Sequence, residues 1–334
     1  MKFLSLLLCL VLWPASAFPA AGESLRTGDG ILFYGGGMVE RRLESGDLEA
    51  RLQLAHPGKK LRIRSLAWTG DEVGYRLRPE GYVEHFKTLL AAWPAQVVVL
   101  GYGIGESFSG APGLPAFRSQ YQVYLREISR LHPGAKIVLL SPIAVEDRST
   151  SNAAERNRDV ALYTQAIAEL AREHNATFLD LFTASRDAYA RATAPLTTQG
   201  IHLNAAGTRI ISNTIARAFL GDAAPDVEDS PRLTDVARAA ALKHSYVAEL
   251  VRPKNAALYY GVRKRPEENA AELPRYHQLV AQADAIFTSR SKTQSPLISS
   301  AENTSLPSFK PFGRIKMPSA SVVKPNSIPE QSMP

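Results

Sequence analysis

Five short apolar runs recur along the first two thirds of the chain and decide what it can fold into. They are GILFY (30–34), LRIRSLAW (61–68), QVVVLGYG (96–103), AKIVLLSP (135–142) and TFLDLF (177–182). Runs so rich in Val, Ile, Leu and Phe suit strands buried on both faces of a parallel sheet. The stretches between them have helical spacing. Phe117, Tyr121, Leu125, Ile128 and Leu131 share one face, as do Val160, Tyr163, Ile167 and Leu170. His132-Pro133-Gly134 and His174-Asn175 are predicted helix stops. Five β-α units in series predict a three-layer α/β/α domain with right-handed crossovers. Ligands then bind at the carboxyl ends of the strands, in loops 34–38, 68–72, 101–110, 142–150 and 182–203.

The two ends have a different character. Lys2, the apolar run from Phe3 to Trp13 and Ala15-Ser16-Ala17 have the order of a secretory signal, 1–17, so a secreted or periplasmic protein is expected. The apolar run is too short to span a bilayer, and no transmembrane segment is predicted. Cys9 is the only cysteine and lies in that run, so the processed chain has no disulfide and no thiolate. The net charge is +7, but 289–334 carries six basic and two acidic residues, which accounts for four of the seven. That charge belongs to a Ser/Pro-rich stretch predicted to be a disordered tail (291–334), and no nucleic-acid partner is expected. The sheet domain is expected over 25–222 and a helical extension over 232–290, broken at Arg252-Pro253-Lys254-Asn255. The oligomeric state is not legible.

The strand-end loops, taken in order, resemble the blocks of the SGNH, or GDSL-type, hydrolases. LRTGDGILFYGGGMVER stands where such proteins carry a strand ending in Gly-Asp-Ser, the Ser being the nucleophile. SLAWTGDEV resembles the block whose glycine, here Gly70, gives a backbone N–H to the oxyanion. VVVLGYGIGESFSG resembles the Gly-x-Asn block, whose Asn is another oxyanion donor. LTTQGIHLNAAG resembles the Asp-x-x-His block of the catalytic base and its carboxylate. LVRPKNAALYYGVRKRPEENAAELPRY resembles the helical extension of a planctomycete and verrucomicrobial branch. The resemblance spans about 30–220 and implies a flavodoxin-like sheet (the SGNH hydrolase fold) with strand order 2-1-3-4-5. It also implies acylated carbohydrate or cell-envelope glycan as the ligand class, and no cofactor.

Position by position the chemistry is missing. Gly37 occupies the nucleophile position and Gly36 the Asp before it; Gly105 stands for the Asn; Gln199 stands for the triad carboxylate. Only His202, the base position, and Gly70 remain. Acyl transfer needs an oxygen nucleophile, a base within hydrogen-bond reach and a group that fixes the base's tautomer. Loss of the nucleophile costs on the order of 10⁶ in turnover, and loss of an oxyanion donor about 10²–10³. The resemblance therefore implies a degenerate hydrolase, or pseudoenzyme, whose cleft keeps backbone donors at Gly37 and Gly70 and gains room from three shortened side chains.

Alternatives remain open at this level. An active carboxylesterase or deacetylase needs a relocated nucleophile, and Ser107, Ser109 and Thr69 are hydroxyls at the correct end of the sheet. Asp180 or Glu106 would then orient His202, or Asp180 simply closes a strand-to-helix turn. His202 itself has a structural reading, since Asn204 and the following residues start a helix. The other histidines, at 56, 85, 132, 174, 244 and 277, show no H-x₃-H or H-E-x-x-H spacing, so no metal site is predicted. Gly35-Gly36-Gly37 lacks the Lys-Ser/Thr of a phosphate loop.

Overall fold

The five runs form the five strands of one parallel sheet. In the computed structural model, which describes residues 25–78, 82–149, 151–220, 229–252 and 272–292, these are β1 (Gly30–Gly35), β2 (Arg62–Ser65), β3 (Val97–Gly101), β4 (Lys136–Leu140) and β5 (Thr177–Leu179). Their spatial order is β2-β1-β3-β4-β5, with every pairing parallel. Alternate side chains go to opposite faces. Leu32, Val98, Leu100 and Leu139 join one core. Ile31, Phe33, Val97, Val99, Val138 and Leu140 join the other.

Helices cover both faces. The first core takes in residues of α3 (Tyr82–Ala92), α4 (Gly110–Leu131) and α5 (Ala153–Glu173). The second takes in α1 (Gly37–Glu44), α2 (Asp47–Ala55) and α7 (Ala205–Leu220). The predicted face of α4 is buried from Phe117 to Ile128, and α4 and α5 stop with His132 and His174 as C-caps. Every run but the first yields a strand shorter than the run itself, the second and fifth most of all. The second yields strand only over 62–65, and Leu181 and Phe182 of the fifth belong to α6 (Leu181–Arg191). Asp180 makes that break, since its carboxylate accepts the Thr183 N–H at 2.9 Å and caps the helix. A two-stranded antiparallel hairpin, β6 (Thr197–Thr198) and β7 (His202–Leu203), precedes α7 and is not visible in the sequence pattern.

The helical extension is described in two pieces, α8 (Pro231–Val251) and α9 (Glu272–Lys292). The two pack on each other, and α8 also lies against α1, α2 and the edge strand β2. Gly46, between α1 and α2, lets α8 come close: a Cβ there would lie 2.0 Å from the Ala237 carbonyl oxygen. Ala50 of α2 packs with Leu233, Val236, Ala239, Ala240 and Phe287 in an apolar seam. Beside that seam a charged cluster is sealed in. Glu49 of α2 ion-pairs with Lys243 and lies 2.7 Å from His244 Nε2; each of these side chains is at most 2% exposed. The predicted signal, the tail and the Pro253–Asn255 break lie outside the described residues. No described helix is long and apolar enough to cross a membrane.

Candidate active site

Strand order reverses between β1 and β3, so the crevice of this sheet opens at their carboxyl ends. β1 ends there in Gly35-Gly36-Gly37, each glycine with its own neighbour. Gly35 has φ +154°, and a Cβ on it would meet the Gly101 carbonyl oxygen at 2.5 Å and the Val39 side chain at 2.7 Å. No other residue fits where β1, β3 and α1 converge. Gly36 is the N-cap of α1, and Gly37 is its first residue. The turn is therefore a sharp strand-to-helix junction, as the sequence predicts, with no side chain at its apex.

The next loop fills that apex. Trp68-Thr69-Gly70-Asp71 is a tight turn closed by the Asp71 N–H on the Trp68 carbonyl at 2.9 Å, with Gly70 at φ +91°. A positive φ at the third residue is the type II signature that calls for glycine. The turn brings Thr69 against Gly37: a Cβ on Gly37 would lie 3.0 Å from the Thr69 Oγ1. The Thr69 hydroxyl donates to the Glu40 carboxylate, which also accepts the Thr69 N–H at 2.7 Å. Glu40, on the first turn of α1 and 6% exposed, is ion-paired to Arg252 at the C-cap of α8. A hydroxyl, a carboxylate and a guanidinium thus run from the nucleophile turn to the helical extension.

Gly105 has a close neighbour of the same kind. A Cβ on Gly105 would lie 3.0 Å from the Glu72 Oε1. Glu106 beside it ties the two loops together, accepting the Val73 N–H at 2.9 Å and the Gly103 N–H at 2.8 Å. Burial pushes its carboxyl upward while those N–H groups pull it back. The extra room expected from the shortened side chains is narrowed at both glycines, where Thr69 and Glu72 lie 3.0 Å from where a Cβ would be. What persists is backbone. Neither the Gly37 nor the Gly70 N–H has a partner among the described residues.

His202 pairs with Thr198 across the β6–β7 hairpin and is exposed. Glu146 anchors this hairpin, its carboxylate accepting the Leu196 and Thr197 N–H groups, each at 2.8 Å, and its own N–H donating to the Gly200 carbonyl at 2.8 Å. Gln199 sits in the turn with φ +57°, exposed. Partial burial, and then the cation of Arg41 one turn after Gly37, hold the His202 imidazole below its ordinary value. A catalytic base needs a carboxylate that steadies its protonated form; the charge that acts on this one has the opposite sign. Asp180 and Glu106, the other candidates for that role, are committed to the α6 cap and to the loop N–H groups. Asn204 accepts the Gly207 N–H at 3.0 Å and starts α7.

The relocated-nucleophile candidates separate clearly. Ser107 is fully buried, donates to the Ile104 carbonyl at 2.8 Å and accepts from Arg156 at 2.9 Å, so no substrate reaches it. Ser109 is the exposed N-cap residue of α4 and makes no side-chain capping bond. Thr69 alone stands against the nucleophile position. Glu40, Glu72, Glu146 and Arg252, which shape the site, went unnoticed in the sequence; their only signal is an acid on the first turn after the glycines and acids flanking the glycine loops. Among the described residues no group of three or more His, Asp or Glu is arranged to hold a metal.

Comparison with known proteins agrees with this geometry at the level of fold. A Parabacteroides merdae protein described as a GDSL-like lipase superposes with a TM-score of 0.50 at 15% identity, over 59% of this chain and 98% of its own. A catalytic mutant of Axe2, an acetylxylan esterase from Geobacillus stearothermophilus, gives 0.49 at 16% identity, over 61% and 99%. No curated protein matches the chain in sequence. The sequence profile of the GDSL-like lipase/acylhydrolase family matches residues 28–210, more than half the chain, and the chain belongs to that family.

Proposed function

We propose that this chain is an exported, catalytically degenerate member of its family that binds acylated carbohydrate or cell-envelope glycan instead of hydrolysing it. The observation that carries this reading is the filling of two catalytic positions from one neighbouring loop: Thr69 against Gly37 and Glu72 against Gly105. A vacated site under no constraint would hold cavities there. Two packed replacements support a site rebuilt for a different task. The unpartnered Gly37 and Gly70 N–H groups suit a carbonyl oxygen. Tyr75 and Phe108, more than half exposed on the loops after β2 and β3, offer aromatic faces to a sugar ring.

Purified protein lacking 1–17 is expected to show no labelling by a fluorophosphonate probe and no p-nitrophenyl acetate turnover above background. Acetylated xylo-oligosaccharide is expected to bind by calorimetry, more tightly than its deacetylated form. One observation favours a second reading, an ester hydrolase with a relocated nucleophile: the Thr69 hydroxyl already lies on a carboxylate. Labelling that Thr69→Val abolishes would establish that reading and overturn the first.

A further inference from the structure

A second site lies at the other end of the sheet. A cavity of about 270 Å³ opens beside the amino-terminal halves of β1 and β2, between the end of α3 and α9. Its walls include Arg62 and Arg64 of β2, Trp93 after α3, and His277, Val280 and Asp284 of α9. Arg62 and Arg64 are two residues apart on one strand, so their side chains share a face.

Arg64 makes this more than a surface dent. The residue is only 7% exposed, deep enough that its guanidinium should be fully satisfied. Nη1 donates to the Ile63 carbonyl at 3.0 Å, and Nη2 pairs with Asp284 at 2.5 Å. Nε, buried, has no partner. Among the described lining residues Asp284 is the sole acid against two guanidiniums, an excess of one positive charge. Its apolar walls include the Trp93 ring, over which Arg64 sits at 5.7 Å, and Val280. Burial, and then His85, keep His277 below its ordinary value, so it is a neutral donor and acceptor at pH 7.

We propose that this cavity binds a small monocarboxylate with a ring-sized body, such as a single uronic acid. The carboxylate would lie on Arg62 and Arg64, and the ring against Trp93 and Val280. The volume falls at the small end of the range for ligand pockets, room for one ring and no more. The charge calls for one anion, and a forked guanidinium matches a carboxylate. The site lies away from Gly37, so it stands or falls independently of what happens there.

Calorimetric titration of the purified protein with sodium D-glucuronate, D-glucose and sodium acetate tests this. Glucuronate is expected to bind, and Arg62→Gln, on an exposed position, to weaken it about tenfold through loss of a charged hydrogen bond. Trp93→Ala is expected to weaken it comparably. Arg64→Lys keeps the charge but not the fork, and is expected to weaken it too. If Arg64→Lys fails to fold, Arg62→Gln and Trp93→Ala still decide. Glucose binding as tightly as glucuronate would overturn the charge argument, and acetate doing so would overturn the ring. Absence of glucuronate binding, or binding indifferent to Arg62→Gln and Trp93→Ala, would remove the site.

Discussion

Glu49→Ala should destabilise this protein more than almost any other single change outside its apolar core. The substitution leaves the Lys243 ammonium, 1% exposed, without its carboxylate. Removing one partner of a buried ion pair costs about 3–5 kcal/mol. Asp284 still attracts Lys243 from further away, which favours the lower end of that range. Linkage acts in the same direction. Lys243 and His244 overcome the desolvation of Glu49 and hold its carboxyl at about 2 against an ordinary 4.5. The lowered carboxyl contributes stability, while burial also lowers the Lys243 ammonium and opposes part of it. The sign follows from the depressed value: the contribution is complete above pH 4.5 and is lost as pH falls from there towards 2. His244 acts in the same sense at higher pH. Burial keeps it neutral in the fold, the unfolded chain takes up its proton below about pH 6.5, and stability declines with it.

Thermal unfolding followed by circular dichroism at pH 7 should show Glu49→Ala melting about 6–20 °C below the parent, at about 2–4 °C per kcal/mol for a fold of this size. The double variant Glu49→Leu, Lys243→Met should recover most of the loss, because an apolar pair replaces the ionic one without stranding a charge. Urea titrations from pH 7 to pH 3 should show a flatter acid limb for Glu49→Gln than for the parent. A single variant within 2 °C of the parent, or an unchanged acid limb, would refute the reasoning.

Other outcomes follow from the site. Gly37→Ser should leave p-nitrophenyl acetate turnover within about tenfold of background, since His202 gains no carboxylate and the new Cβ meets the Thr69 hydroxyl at 3.0 Å. The imidazole of His202, followed by NMR, should titrate below its ordinary value, and Arg41→Ala should move it upward. Asp180→Ala should cost about 1 kcal/mol in urea unfolding, as the loss of a helix N-cap does. Arg252→Ala should strand the Glu40 carboxylate and weaken binding of acetylated xylo-oligosaccharide without changing binding of glucuronate at the second cavity.

The sheet was legible because its central strands β1 and β3 are buried at every position and β4 over its last three, so those runs are continuously apolar. The edge strand β2 carries Arg62 and Arg64 on either side of the apolar Ile63. Strand ends were less so. Leu181 and Phe182 are as apolar as a strand residue, and only the Asp180 cap assigns them to α6. The glycine turn at the end of β1 could be read from position alone. What lies against it could not. Thr69 and Glu72 reach Gly37 and Gly105 across a loop whose geometry rests on one left-handed glycine, and Glu40 is held by Arg252, more than 200 residues away in sequence. Contacts between loops and distant helices leave no periodic trace, and neither does the Glu146 clasp that fixes the His202 hairpin.

The missing Cβ of Gly46 has a consequence for whether the parts of this architecture can be separated. Because the α1–α2 corner lies against the Ala237 carbonyl of α8, any larger residue there would push the extension off the sheet. A gene fragment ending after α7 would present the Ala50 seam to water and leave Glu49 without its Lys243 and His244 partners. The sheet and the extension are therefore physically interdependent: a chain without α8 would need new residues at Ala50 and Glu49 of α2 to be as well packed.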